Sequence, residues 1–140
     1  MRIAVIDGQG GGIGKHIIEK IRREIGEDID ILALATNALA TSLMLKAGAN
    51  EGASGENAII YNCSRVELIV GPMGIIIPQS MLGEITPQIA GAIASSQVPK
   101  MLLPVLKGDV ELVGLPGEPL PHLVTRLVDK IKERLGSCKV

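Results

Sequence analysis

A three-layer α/β architecture, with a mostly parallel sheet of about five strands and helices on both faces, is what this sequence predicts, and three observations predict it. Short, β-branched apolar runs alternate with longer segments whose apolar residues recur at helical spacing. The runs are continuously apolar rather than alternating, as expected of strands covered on both faces. The first run, Ile3 to Ile6, passes through Asp7-Gly8 directly into a glycine cluster and then a helical pattern.

The elements follow in order. Ile3 to Ile6 form the first strand. Ile13, Ile17, Ile18, Ile21 and Ile25 then share one helix face, while Lys15, Glu19, Lys20, Arg22 and Arg23 fill the other, and Gly26 is a natural stop. Ile29 to Ala35 give a second buried strand ending at Thr36-Asn37. Ala38 to Ala47 are helical and apolar nearly all round, so that helix is expected to be buried, with Gly48 as its stop. Gly48 to Gly55 is the most loop-like stretch. Ser54, followed by Glu56 and Asn57, resembles a helix start, which gives a short helix over Gly55 to Cys63, although Ala58 to Tyr61 reads equally as a strand. Val66 to Val70 make the third strand, ended by Gly71-Pro72. Gly74 to Met81 is ambiguous, because Ile75 to Ile77 are strand-like and Pro78 forbids a long helix. Thr86-Pro87 opens a helix running to about Ser95. Met101 to Leu106 form a fourth strand that Pro104 places at an edge or an end. Lys107-Gly108-Asp109 turns into Val110 to Val113, a hairpin partner that would make the last strand antiparallel. Leu120, Leu123, Val124, Leu127, Val128, Ile131 and Leu135 stripe a final helix from Pro121 to Leu135. The order of elements is Rossmann-like, and one domain over residues 1–140 is the expected count.

Composition narrows the function. The net charge is −1, no basic cluster stands out, and Trp and Phe are absent beside the single Tyr61. Nucleic acid is therefore not an expected partner. Gly, Pro or a charge interrupts every apolar run, which argues against a membrane span, and no signal-peptide pattern opens the chain, so cytoplasm is the expected location. Cys63 and Cys138 are in no metal-binding spacing and read as free thiols; no metal site is expected. Ile, Leu, Val and Ala exceed what one small core holds, a hint of a homo-oligomer.

In parallel sheets ligands bind at the carboxyl ends of the strands, where the strand order reverses. That edge should collect Asp7 to Lys15, Thr36-Asn37 and Gly71 to Gly74. Backbone N–H groups of Gly10, Gly11, Gly12, Ile13 and Gly14, at the positive end of the first helix, would hold an anion. Gly8 and Gln9 would shape the turn, Lys15 would assist, Thr36 and Asn37 would lie near a sugar, and Gly71 and Pro72 would wall the ligand. Asp7 would repel a pyrophosphate unless a cation intervened, and would otherwise recruit Mg²⁺ or contact a hydroxyl. The second strand ends without the carboxylate that usually grips a ribose. The plain alternative is a glycine-rich turn that exists only for close packing. His16 and His122 read as surface residues and Cys63 as core. Glu56, Asn57, Asn62, Ser80 and Glu84 cap helices or line a pocket, with capping preferred; Asp7 or Glu84 would be the base of any acid–base chemistry.

The strict G-x-G-x-x-G fingerprint fails, because Ile13 stands at its third glycine. G-x-x-x-G-x-G fits at Gly8, Gly12 and Gly14, and this loop resembles the cofactor loop of the short-chain dehydrogenases, which implies NAD(P) or another nucleotide. The Tyr-x-x-x-Lys pair of those enzymes has no counterpart, since Tyr61 is followed by Arg65. Gly11-Gly12-Ile13-Gly14-Lys15 also resembles the deviant Walker motif of ParA/MinD-type ATPases, with Gly10 in place of the signature Lys and His16 in place of the Mg²⁺-holding Ser or Thr. Over nearly its whole length, in MRIAVIDGQGGGIGK, TNALATSLMLKAGANEGASGENAIIYN and GPMGIIIPQSMLGEITP, the chain resembles a bacterial family that carries only a domain-of-unknown-function label. The leading expectation is a binding domain for a nucleotide or other phosphorylated small molecule. The alternatives are a reduced dehydrogenase-like enzyme or unusual NTPase, and a non-catalytic oligomeric or regulatory module.

Overall fold

The computed structural model describes residues 1–106 and 109–138. Its five strands are β1 (Arg2–Asp7), β2 (Asp30–Ala35), β3 (Glu51–Ser54), β4 (Leu68–Pro72) and β5 (Lys100–Leu103). All pair in parallel, in the order β3-β2-β1-β4-β5. Five helices connect and cover them: α1 (Gly12–Glu24), α2 (Ala38–Lys46), α3 (Glu56–Asn62), α4 (Pro87–Ser95) and α5 (Leu120–Cys138). The result is a Rossmann-like α/β arrangement. Among the described residues no helix is long and apolar enough to cross a membrane.

The strand order decides which face each helix covers. The chain moves outward through β1, β2 and β3, then returns past β1 to β4 and β5. Right-handed crossovers therefore put the connecting helices α1 and α2 on one face and α3 and α4 on the other, and α5, after the last strand, returns to the first face. Ile3 and Val5 pack with Ile17, Ile18 and Ile21 of α1, Met44 of α2, and Val124, Val128 and Ile131 of α5. Ala4 and Ile6, one residue out of phase, meet Ile59 of α3 and Ile89 and Ile93 of α4. This period-two division of one strand between two cores is why β1 reads as an uninterrupted apolar run. Cys63 is buried in the second core, as expected; the Cys138 thiol lies outside the described side chains.

Thr86 and Pro87 behave as anticipated: the Thr86 hydroxyl accepts the Ile89 amide at 3.1 Å and Pro87 begins α4. Arg22, expected on a solvated helix face, instead staples the end of α1. It donates to the carbonyls of Gly26 and Gly48 at 2.9 Å and of Ile29 at 2.8 Å.

Three expectations need correction. The stretch Gly48 to Gly55 contains strand β3, which pairs with β2 through its backbone alone. Its residues are mostly exposed, so it leaves no apolar signature. Helix α2 is not buried all round: Ala40, Thr41 and Met44 face the core, while Leu39 is 73% exposed. Its opposite face, with Leu39 and Leu45, is open to solvent. Finally, Val110 to Val113 form no strand and the sheet has no antiparallel member. Val113 is 95% exposed, and β5 stops just before Pro104, whose missing N–H and fixed φ disfavour continued pairing. The expected turn at Lys107-Gly108 lies outside the described residues.

Candidate functional site

The strand order reverses between β1 and β4, and the crevice outside the carboxyl ends of strands at such a reversal is where parallel sheets bind ligands. Three segments meet there: the turn from β1 into α1, the end of β2, and the long connection from β4 to α4.

Asp7 ends β1 and is buried. Its Oδ1 accepts the Gly8 amide and its Oδ2 the Gly14 amide, each at 2.8 Å. Burial pushes its carboxyl above the ordinary carboxylate range; the amides of Gly14, Gly8 and Ile13 pull the other way, and the charge of Glu84 adds to the rise. The protein's own carboxylate therefore occupies the positive end of α1 from the inside, where the sequence suggested an external anion. The Gly11 amide is likewise used, donating to the Gly8 carbonyl at 2.9 Å. Of the five amides expected to stand open, those of Gly10 and Gly12 have no partner among the described residues.

The glycines of this turn divide in two. A Cβ on Gly8 would lie 2.7 Å from both the Met81 sulfur and the Thr36 hydroxyl, and one on Gly14 would lie 2.8 Å from Met44 Cε. Gly11 has φ +75 and would strike the Cα of Ala40 at 2.9 Å. Packing and conformation account for these three. Gly10 and Gly12 are exposed, have no left-handed φ, and would meet nothing within 4 Å.

Beyond a short 3₁₀ turn over Met73–Ile76, the β4–α4 connection folds back through left-handed residues Gln79, Met81, Leu82 and Gly83 and delivers Glu84 to the crevice. Glu84 Oε1 accepts three hydrogen bonds: from the Gln9 amide at 2.9 Å, the Thr36 hydroxyl at 2.5 Å and Asn37 Nδ2 at 2.9 Å. Partial burial would raise its carboxyl, but those donors outweigh it and hold Glu84 below its ordinary value. Asn37 Nδ2 also donates to the Gln9 carbonyl at 2.9 Å, and Asn37 Oδ1 accepts the Ala40 amide at the start of α2. Gln9 has φ 50, a conformation costly for a side-chain-bearing residue, and both sides of its backbone are clamped.

The remaining candidates sort as follows. Thr36 and Asn37 reach the loop but spend their side chains bracing it. Gly71 and Pro72 are buried at the end of β4. Ile13 is half-buried, and Lys15 lies on the first turn of α1, 3.8 Å from Glu19. Tyr61 and Arg65 engage each other, the guanidinium 4.2 Å above the ring. Among the described residues no group of three or more His, Cys, Asp or Glu side chains could hold a metal ion. Elsewhere among the described residues, a cavity of about 480 Å³ is lined by residues from Pro104 to Leu123, and one of about 200 Å³ lies between α1 and α5 beside His16 and Pro121.

The part of Glu84 that spacing does not reveal is its three-loop tie. It contacts residues 47, 48 and 75 positions away, so no local pattern marks it. The only hint is a polar residue next to Gly83.

A family model described as "Domain of unknown function (DUF3842)" matches residues 2–136. No curated protein and no solved structure matches the chain.

Proposed function

This chain belongs to the DUF3842 family, a domain of unknown function, and from its own geometry we propose that it binds a nucleotide, or another small phosphorylated ligand, over Gly10 and Gly12. The observation that carries this reading is the absence of any internal reason for those two glycines. Each lowers stability through chain entropy, yet neither needs a left-handed backbone nor makes room for a neighbouring atom. Close approach of a ligand to bare backbone at the start of α1 is the use we assign to them. Both amides are unpaired among the described residues, and Gly12 is the first residue of α1, where an N–H points along the helix axis. Lys15, on the same first turn of α1, supplies a cation. A parallel sheet with its reversal point at this loop favours the same location.

The support is for binding rather than turnover. Of the two candidate bases, Asp7 has both oxygens engaged by amides, and Glu84 spends Oε1 on three donors that brace the loop.

Binding and packing predict opposite signs for one substitution. Gly12→Ala removes an entropic burden from an exposed helical position. It is expected to stabilise the protein by up to about 1 kcal/mol, raising Tm by about 2–4 °C. The same methyl group sits where the ligand approaches, so affinity for ADP or NAD is expected to fall about tenfold, equivalent to ~1.4 kcal/mol. Thermal unfolding and titration calorimetry on the two proteins read both effects. Wild-type protein whose Tm ignores millimolar ADP, NAD and inorganic phosphate would sink the proposal, as would a stabilised variant with undiminished affinity.

A further inference from the structure

We propose that Glu84 selects for a ribose with a free 2′-hydroxyl, accepting that hydroxyl on its second carboxylate oxygen and rejecting a 2′-phosphate. The inference rests on nucleotide binding at the glycine loop and specifies which nucleotides bind.

In parallel-sheet dinucleotide sites the ribose is gripped by a carboxylate near the end of the second strand. Here β2 ends in Thr36-Asn37. A carboxylate nevertheless reaches that position from the far side of the crevice, because Thr36 and Asn37 both donate to Glu84. All three bonds fall on Oε1. Three donors on one oxygen, from two different loops, fix the plane of the group. Oε2 has no partner among the described residues, and no buried side-chain oxygen is left unpaired, so Oε2 faces solvent. An ionised carboxylate only accepts hydrogen bonds. A hydroxyl donating to it makes a short, charge-assisted bond, and the geometry is set before the ligand arrives.

Placement agrees with this role. The Gln9 amide held by Glu84 directly precedes Gly10, so the carboxylate borders the surface assigned to the ligand. Asn37 holds the Gln9 carbonyl, so loop and carboxylate form one braced unit. The charge on the solvent-facing oxygen of Glu84 disfavours a phosphate at the ribose 2′ position and favours a hydroxyl there.

Titration calorimetry with NAD, NADP, ATP and 2′-deoxyATP tests the assignment. Wild-type protein is expected to bind NAD about tenfold or more tightly than NADP, and ATP about tenfold more tightly than 2′-deoxyATP, the usual effect of one hydrogen bond to a charged group. Glu84→Gln keeps a carbonyl oxygen for the three donors and puts an NH₂ where Oε2 stood. Its Tm should fall modestly, because the three donors exchange a charged acceptor for a neutral one, while its NAD-to-NADP preference should collapse toward unity. A purely bracing role for Glu84 would leave that ratio unchanged. Equal wild-type affinity for NAD and NADP overturns the assignment without any variant, as does a ratio that survives Glu84→Gln. If none of the four nucleotides binds, the assignment falls together with the reading on which it rests; if they bind without discrimination, only the assignment falls.

Discussion

Replacing Asp7 by alanine is expected to destabilise the protein by about 3–5 kcal/mol, because two buried amides lose their acceptors at roughly 1–3 kcal/mol each and the packing around the carboxylate is lost. The amides are those of Gly8 and Gly14, both on buried residues. Against a total of about 5–15 kcal/mol for an ordinary domain, that loss brings the protein near unfolding at ambient temperature. Asp7→Asn retains one acceptor oxygen and turns an NH₂ toward the other amide, so its cost should be intermediate, about 1–2 kcal/mol. Urea denaturation midpoints measure both. A near-neutral Asp7→Ala would mean that the carboxylate does not hold the start of α1.

The pH dependence has a definite sign. Burial raises the Asp7 carboxyl above its ordinary value, so the native state binds this proton more tightly than the unfolded chain does. Its contribution to stability is fully present below the ordinary carboxylate range and is lost as pH rises through the raised value. Glu84 acts in the opposite sense. Its lowered carboxyl contributes stability above the ordinary range, and that contribution disappears as pH falls through the lowered value. The Asp7 component is isolated by comparing wild type with Asp7→Asn from about pH 4 to about pH 7. The advantage of wild type over the variant should shrink as pH rises; an advantage that grows would contradict the burial of this carboxyl.

Gly71→Ala is the second large effect. A Cβ at this position would overlap the carbonyl oxygen of Ile6 in the neighbouring strand and press Ile75 Cδ1 at 3.3 Å. Ile6 lies in the central strand β1, paired with β2 on one side and β4 on the other, so its backbone cannot retreat without breaking the sheet. A cost of about 3 kcal/mol or more is expected, with Tm falling by about 10 °C. Thermal unfolding of Gly71→Ala beside Gly12→Ala should show shifts of opposite sign at two glycines of one crevice. A mild Gly71→Ala would show that β1 and β4 are not in such close contact at this point. Gly71 thus owes its missing side chain to the approach of two strands, a packing demand that stands whatever binds nearby.

Much of the architecture is legible before any coordinate is seen. The isoleucines of α1 and the stripe of α5 repeat at helical spacing because each helix has one covered face. Strands β1, β2 and β4 read as continuous apolar runs because both of their faces are covered. Strand β3 escapes notice for the converse reason. It joins the sheet through backbone hydrogen bonds, which every residue type except proline offers equally, and its exposed side chains carry no pattern.

In the crevice, the sequence points to the glycine turn but treats its glycines alike and sets Asp7 beside it as a charge facing the ligand. The fold gives Asp7 the amides of α1 and separates Gly8, Gly11 and Gly14, which make room for other residues, from Gly10 and Gly12, which do not.

By itself, then, the sequence determined which segments become helices and covered strands, because periodicity records how each residue is buried along its own element. Only the tertiary structure decided that Glu84 reaches Gln9, Thr36 and Asn37, and that Asp7 turns inward. The Glu84 bonds join segments brought together by the order of strands in the sheet, and a hydrogen bond across 75 residues leaves no trace in the spacing of either partner.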